Sequence, residues 1–238
     1  MAAHQRFSCR TLDDLHATAR ELGLEIPTRQ DVGILGDPLG IAGRTVPNRL
    51  AIHPMEGFDA APDGSPGDLC FRRYRRYAQG GAGVIWFEAT AVLQEARSNP
   101  GQLWLHEGSA PVFARLVQET RRAARETHGR EPLLILQLTH SGRYSKPAGV
   151  PAPLIAHHSP VLDPIHRLPA DYPLGSDAYL DRLQDTFLSA ARLAAAAGFD
   201  GVDIKGCHRY LAAELHASFT RPGKYGGSFE NRTRLLRE

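Results

Sequence analysis

The chain contains four short apolar runs, and polar or ionisable residues follow each run. The runs occupy residues 50–52, 84–87, 133–136 and 201–205. Runs that are continuously apolar, rather than alternating, are typical of parallel strands buried on both faces. Helical periodicity separates them at residues 68–79, 110–127 and 179–197. The pattern predicts an α/β fold with a parallel sheet and right-handed crossovers.

The same repeat is typical of a TIM-type (βα)8 barrel, of which only the first four to five βα units are predicted here. A complete barrel has eight strands and commonly takes about 250 residues. We therefore expect residues 33–238 to form the N-terminal half of a barrel, truncated after the fourth strand and its helix. Four parallel strands alone leave unpaired edges. The chain is thus predicted to be part of a longer barrel, or a half-barrel completed by a second chain or by dimerisation.

Residues 1–32 are predicted to be a helical lead-in to this barrel. Residues 11–22 have the spacing of an amphipathic helix, with Thr11 as a possible N-cap and Gly23 as its end. Residues 33–50 are rich in glycine and proline, and their short apolar pairs suggest a hairpin that closes the bottom of the barrel. An unstructured segment is the alternative.

The composition is ordinary for a soluble globular protein, with 42% hydrophobic and 23% charged residues. The net charge is only +2, so nothing indicates a nucleic-acid or membrane partner. The three cysteines are far apart, which disfavours a disulfide framework and a thiolate metal site. The sequence has neither a signal-like N-terminus nor an apolar run long enough to span a bilayer. We expect a cytoplasmic protein without a bound metal.

The arginine-rich residues 72–77 form the most basic stretch of the chain. Phe71, Tyr74 and either Tyr77 or Ala78 recur there at helical spacing. We interpret the stretch as a helix with a solvated arginine face rather than as a phosphate-binding site.

Ionisable residues are concentrated after the fourth predicted strand: Lys205, His208, Arg209 and Tyr210. In βα barrels, active sites lie at the carboxyl ends of the strands. Further on, two adjacent glycines precede Ser228, which predicts a turn followed by a helix N-cap.

Residues 198–238 also carry a long signature. The sequences GFDGVDIKGCHRYL and TRPGKYGGSFENRTRLL resemble "GFDGVEIHxAHGYL" and "xYGGSxENRxRF" of the Old Yellow Enzyme family, the FMN-dependent NADH:flavin oxidoreductases. Three earlier segments, NRLAIHPME, GGAGVIWFEATAV and ILQLTHSGRYS, resemble the ends of the family's first three strands. The resemblance covers about residues 33–238. It implies an FMN-binding barrel that passes hydride from NAD(P)H through FMN to an activated alkene or a similar small molecule.

The resemblance implies which residues bind FMN: Pro54, Met55, Glu56, Ala89, Gln137, Lys205 and His208. Pro54 would give a rigid wall, Met55 and Glu56 would face the flavin, and Ala89 would let the ring approach closely. Gln137 offers an acceptor and two donors to the pyrimidine edge of the ring. Simple packing is the alternative for Ala89, a structural role for Gln137, and a solvated loop position for Glu56.

The resemblance also implies the catalytic residues. Tyr210 would donate a proton to the substrate carbon, while His208 and Lys205 would bind the substrate oxygen. A core position for Tyr210 and a surface position for Lys205 are the alternatives. Two residues depart from the family pattern, because Glu56 stands where Thr or Cys is usual and Lys205 where His is usual.

Two other functions stay open at this point. The first is a non-catalytic or split half-barrel that needs a partner chain, and the second is a Schiff-base lyase that uses Lys205. In the family, the residues that hold the flavin phosphate come from later strands. We therefore expect the isolated chain to bind FMN weakly or not at all.

Overall fold

The computed structural model describes residues 7–238, so residues 1–6 of the predicted lead-in lie outside the described residues. Its centre is a four-stranded parallel sheet, and an antiparallel hairpin precedes this sheet. The strands are β1 (Leu39–Ile41), β2 (Arg44–Val46), β3 (Ala51–Ile52), β4 (Val84–Ala91), β5 (Leu133–Thr139) and β6 (Gly201–Ile204). The parallel strands lie side by side in chain order, β3-β4-β5-β6. The predicted parallel α/β fold is confirmed, and β4 and β5 extend beyond the apolar runs that predicted them.

The helices between these strands agree with the predicted ones to within about two residues at each end. In chain order the helices are α1 (Leu12–Glu21), α2 (Asp68–Gln79), α3 (Ala110–His128), α4 (Leu162–His166), α5 (Asp177–Ala196), α6 (Leu211–His216), α7 (Phe229–Arg232) and α8 (Arg234–Arg237). Helices α2, α3 and α5 connect the successive parallel strands. In the described part of the chain, every helix is too short or too polar to cross a bilayer.

Helix α2 buries one face against the sheet. Phe71, Tyr74 and Ala78 are buried, and the Tyr74 ring stacks on Phe87 of β4 with the ring centroids 3.9 Å apart. Most of the arginines within residues 72–77 are exposed. The interpretation of this stretch as a helix with a solvated arginine face is confirmed.

Side chains of β5 alternate between the two faces of the sheet. Leu134, Leu136 and Leu138 are fully buried and belong to the same core cluster as Phe113 of α3 and Leu183 of α5. Because successive residues of a strand point to opposite faces, the intervening side chains point away from the helices. The polar residues of the candidate site lie on that second face.

The hairpin β1–β2 lies at the amino-terminal ends of the strands. Arg44 pairs with Asp200, which directly precedes β6. The Asn48 side chain accepts a hydrogen bond from the N–H of Gly83 at 2.7 Å and donates one to the carbonyl of Gly81 at 2.7 Å, just before β4. The predicted hairpin is therefore confirmed, at the end of the sheet opposite the candidate site.

Helix α1 begins with the predicted cap. The Thr11 hydroxyl accepts from the N–H of Asp14, whose carboxylate accepts from the N–H of Thr11, which completes a capping box. Ala19 is buried, whereas Leu12 and Leu22 on the predicted apolar side are 42% and 68% exposed. The helix is confirmed, but two of the four side chains on its predicted apolar side face solvent in the described structure.

Residues 142–176 form a Pro-rich excursion between β5 and α5, and they contain two helical turns that the sequence pattern did not predict. One is the 3₁₀ helix Gly142–Tyr144 and the other is α4. His140 fixes the start of the excursion, because its Nδ1 accepts from the N–H of Gly142 at 2.9 Å. Its Nε2 lies 2.9 Å from the Tyr179 hydroxyl on α5. Burial lowers the pKa of His140 to about 3, so the imidazole is neutral at physiological pH.

Arg143 connects the excursion to the segment after β6. Its side chain is fully buried between the carboxylates of Glu214 and Asp163, and it also donates to the carbonyl of His157 at 2.9 Å. Burial raises the pKa of Glu214, and the N–H of Ala156 and the Arg143 guanidinium oppose that shift. The excursion is thus held by a buried ion-pair network.

A tight turn precedes α7. A Cβ on Gly226 would lie 2.1 Å from the Arg221 carbonyl oxygen, and Gly227 has a φ of +79°, which glycine adopts without strain. The Ser228 hydroxyl then accepts from the N–H of Asn231 at 3.3 Å. The predicted turn and the Ser228 cap are confirmed.

Replacing Arg143 by Met is expected to lower the free energy of unfolding by about 3–5 kcal/mol, because it leaves buried carboxylates without a cation. Arg122→Met is the matched control, since Arg122 is exposed and its i,i+4 pair with Glu126 contributes only ~0.3–0.5 kcal/mol. Urea denaturation of both variants measures the difference. Equal destabilisation by the two substitutions would contradict the role of the network.

Candidate active site at the carboxyl ends of the strands

The two residues that depart from the family pattern contact each other. The Lys205 Nζ lies 3.0 Å from Glu56 Oε1, and the two side chains are only 4% and 11% exposed. The other carboxylate oxygen of Glu56 accepts from the Ser98 hydroxyl at 3.3 Å. A buried ammonium is tolerated only when it is paired. Glu56 and Lys205 therefore form one neutral ion pair.

Lys205 is placed by the sheet itself. Its N–H donates to the carbonyl of Leu138 at 2.9 Å, which continues the pairing of β5 with β6 by one residue. The side chain then reaches across the mouth of the sheet, and its Nζ lies 4.4 Å from the centroid of the Tyr210 ring. At that distance the ammonium and the aromatic face attract each other.

Glu56 is placed by an ion-pair network behind it. The N–H of the next residue, Gly57, donates to Glu88 Oε2 at 2.8 Å. Arg73 of α2 donates to Glu88 at 2.6 Å and to both carboxylate oxygens of Asp59 at 2.5 and 2.9 Å. The segment after β3 is thus held at two points, so the position of the Glu56 carboxylate is fixed by β4 and α2.

Part of this network also has the residue types of a metal site. Potential ligand atoms of Asp59, Cys70 and Glu88 lie within 4.8 Å of one another. However, the Arg73 guanidinium already bridges the two carboxylates. Burial raises the pKa of the Cys70 thiol, whereas metal binding needs the thiolate. We interpret the cluster as the support of the Glu56 segment.

Tyr210 is half-buried at the start of α6. Burial raises the pKa of Tyr210 to about 12, and the negative charge of Glu56 adds to that shift. The phenol is therefore protonated at neutral pH and can donate a proton. The Tyr144 ring lies 5.9 Å away, measured between centroids, and forms the neighbouring wall of the site.

His208 and Arg209 form a turn with a left-handed backbone. Their φ angles are +56° and +57°, a region that costs non-glycine residues roughly 1–2 kcal/mol. Both side chains are exposed. The ring of His208 lies 6.4 Å from that of Tyr210, so it is a neighbour of the ion pair and not a part of it.

The residues predicted to touch the flavin ring lie in different environments. Gln137 is buried, and its Nε2 donates to Asp203 Oδ2 on β6 at 2.6 Å. Ala89 is fully buried, and its carbonyl accepts from Gln102 at 2.9 Å. Met55 is 68% exposed. Gln137 thus has a structural partner that leaves its amide oxygen available, and Met55 offers an open surface.

Two hydroxyls at the end of β5 indicate that the site suits a bound group. Thr139 Oγ1 and Ser141 Oγ are buried without a hydrogen-bond partner among the described residues, which is rare for buried polar atoms. Pro54, half-buried beside Met55, supplies a rigid apolar surface. These hydroxyls, the Gln137 amide and this surface fit the polar edge and the apolar face of the FMN ring.

The structure brings Glu56, Lys205 and Tyr210 together, whereas Ala89 lies apart from their contacts. Sequence reasoning missed Ser98, which binds Glu56, and Asp203, which binds Gln137. For Asp203 a signal was present, because a carboxylate within a buried strand needs a partner.

Comparison with protein families identifies residues 35–238 with the model of the NADH:flavin oxidoreductase / NADH oxidase family. The chain is 33% identical over 212 residues to an NADPH dehydrogenase of Bacillus pumilus, a match that covers 86% of this chain and 58% of the relative. An NADPH dehydrogenase of Halalkalibacterium halodurans is 32% identical over 201 residues, covering 83% of this chain and 56% of the relative. The chain spans about half the length of these curated relatives.

Solved structures give the same assignment. The Old Yellow Enzyme homologue of Zymomonas mobilis superposes with a TM-score of 0.69 at 30% identity, covering 85% of this chain and 57% of that protein. A complex of 2-naphthoyl-CoA reductase has a TM-score of 0.71 at 22% identity, covering 86% and 32% of the two chains. The latter similarity concerns the fold alone.

Arg209→Gly is expected to be more stable than Arg209→Ala by about 1 kcal/mol, because only glycine adopts a φ near +57° without strain. The family pattern has glycine at this position. Both variants lose the contact of the Arg209 guanidinium with the Tyr144 ring, so their difference isolates the backbone. Thermal unfolding of the pair measures it, and an equally stable alanine variant would show that the turn is not strained.

Proposed function

The chain belongs to the NADH:flavin oxidoreductase / NADH oxidase family, and on that premise we propose that it is the substrate-binding half of an FMN-dependent oxidoreductase. Its acceptor is a small molecule with a carbon–carbon double bond next to an electron-withdrawing oxygen group, and NAD(P)H is the reductant. The observation that carries the proposal is the contact of Lys205 with Tyr210 at the carboxyl ends of the strands. An oxygen-binding cation and a proton donor therefore lie side by side.

The residues of the chain have distinct tasks in this reaction. FMN, when bound, supplies the hydride that NAD(P)H delivers to it. Lys205 donates a hydrogen bond to the substrate oxygen, where negative charge develops, and His208, whose ring lies 6.4 Å from that of Tyr210, assists it. Tyr210 holds its proton on the phenol oxygen and gives it to the substrate carbon. Pro54 and Met55 supply the apolar surface that orients the flat ring.

The ion pair favours this reaction over Schiff-base chemistry. A Schiff-base lysine needs a neutral amine, which enzymes obtain with an apolar pocket or a nearby cation. Lys205 instead contacts the Glu56 carboxylate at 3.0 Å, the partner that suits an ammonium. The role of Lys205 is therefore to bind oxygen.

The flavin phosphate and the remaining wall of the barrel require further strands. In the described structure, β3 and β6 each have only one parallel neighbour, and exposed sheet edges invite pairing with other strands. Strands on the same polypeptide or on a partner chain would complete the barrel at these edges.

Adding FMN to the purified chain is expected to perturb the visible absorption band of the flavin, with weak affinity. Gln137→Leu should weaken binding by about 10-fold, the effect of losing one hydrogen bond of ~1.4 kcal/mol. Gln118→Leu, an exposed position on α3, is the matched control. A flavin spectrum that stays unchanged at saturating protein would contradict the proposed site.

Tyr210→Phe is expected to slow the reduction of an activated alkene by about 10²-fold or more, the usual contribution of a general acid. Reduction of the flavin by NAD(P)H should keep its rate, because that step takes no proton from Tyr210. Stopped-flow measurement separates the two half-reactions, with Tyr77→Phe as the control. Equal slowing of both half-reactions would assign Tyr210 a structural role.

A further inference from the structure

We propose that Glu56 is a positioning residue, which holds the Lys205 ammonium against the Tyr210 ring so that this charge faces the phenolate formed when Tyr210 gives up its proton. The inference rests on the proposed role of Tyr210 as proton donor. It concerns Glu56 and Lys205, the two residues at which this chain departs from the family pattern. In this proposal the two departures act together, because each residue needs the other.

The length and freedom of the lysine side chain make such a support necessary. Lys205 has four flexible carbons and three donors, so its Nζ is not fixed by the backbone. In the structure, one direction is taken by Glu56 Oε1 at 3.0 Å and another by the face of the Tyr210 ring at 4.4 Å. The third donor remains for a substrate oxygen.

Glu56 is itself held on both sides. Its Oε2 accepts from the Ser98 hydroxyl, and the N–H of Gly57 is bound by Glu88. The carboxylate is therefore the fixed member of the pair and the ammonium the adjustable one. The Lys205 side chain is only 4% exposed. Without the Glu56 carboxylate its ammonium would have to move into solvent, because burying an unpaired charge is costly.

Other groups also face Tyr210, and they differ from Lys205 in exposure or charge. The ring of His208 lies 6.4 Å away on the exposed turn. The centroid of the Tyr144 ring lies 5.9 Å from that of Tyr210. The Arg209 guanidinium lies 5.8 Å from the centroid of the Tyr144 ring. Ser141 contributes a neutral hydroxyl. Lys205 is thus the buried cation that touches the phenol ring directly.

The proton step is balanced within this arrangement. After hydride has added to one carbon of the substrate's double bond, the former π electron pair is left at the neighbouring carbon. The O–H bond of Tyr210 breaks, that electron pair forms the new C–H bond with the proton, and a phenolate remains until water returns a proton. The Lys205 ammonium faces the phenolate ring and stabilises its charge. Glu56 repels the phenolate, so its favourable effect is indirect and consists in placing the ammonium.

The first test observes Lys205 directly and needs neither FMN nor substrate. The chain has three lysines, Lys146, Lys205 and Lys224, so NMR of the lysine-labelled protein gives few ε-methylene signals. The Tyr210 ring current should shift the Lys205 signal upfield. We expect Glu56→Gln to move that signal to the position of exposed Lys146.

Matched variants establish that the upfield shift of the Lys205 signal comes from the Tyr210 ring. Tyr210→Phe should keep the shift and Tyr210→Leu should remove it. Glu56→Asp withdraws the carboxylate by about 1.5 Å and should give an intermediate shift of the Lys205 signal. It replaces Glu56→Gln in the test if Glu56→Gln does not fold. Glu107→Gln removes an exposed carboxylate and should change nothing. An unchanged Lys205 signal in folded Glu56→Gln would overturn the positioning role.

The second test measures the catalytic consequence. Glu56→Gln should lower kcat for alkene reduction by about 10²-fold, the usual loss when a fixed electrostatic partner is removed, which is a larger factor than its effect on flavin reduction by NAD(P)H. A lost NMR shift with an unaltered kcat would overturn the catalytic part of the proposal. Normal kcat in Tyr210→Phe with the NMR shift intact would instead refute the proposed function and leave the contact standing.

Discussion

Two opposite charges from the two edges of a four-stranded sheet meet within 3.0 Å of each other. Neighbouring strands are about 4.8 Å apart, so the edges of a flat sheet of four strands would be ~14 Å apart. Glu56 lies four residues beyond the end of β3, so the loop after β3 and the long lysine side chain both help to cover that distance. A sheet that curls toward the site, as the wall of a barrel does, shortens the distance and favours the pair.

That curvature depends on packing at a distance from the pair. The leucines of β5 are held by α3 and α5 on the convex side, and the Arg73 network ties the segment after β3 to α2 and β4. The helices thus determine where the site's charges lie. In return the ion pair fixes the relative position of β3 and β6, which are not hydrogen-bonded to each other.

Much of the fold could be predicted from local patterns. The apolar runs, the helical periodicity of α2, α3 and α5, and the caps at Thr11 and Ser228 each depend on residues close in sequence. The short helix α4 could not be found in this way, because it is held by the buried Arg143, whose partners come from distant parts of the chain. Such tertiary contacts override weak local propensity.

In the candidate site, too, the individual residues could be predicted from the sequence, whereas their contacts could not. Lys205 and Tyr210 stand out by their place after the fourth strand, and the family resemblance points to Glu56 and to the roles of all three. Neither departure from the family pattern predicts the other. The Gln137 contact with Asp203 depends on the register of β5 with β6. Ala89 lies within the irregular pairing of β4, where the register shifts between Phe87 and Thr90. Register and bulges arise from assembled strands, so a single strand's sequence does not reveal them.

The order of the strands has a consequence for biosynthesis. Because the parallel strands pair in the order in which they leave the ribosome, each βα unit can dock on the one before it as synthesis proceeds. The contact between Glu56 and Lys205 spans 149 residues and must wait for the last of these strands. During translation the nascent sheet can thus begin to bury its hydrophobic core while the Glu56 carboxylate stays hydrated until β6 brings Lys205.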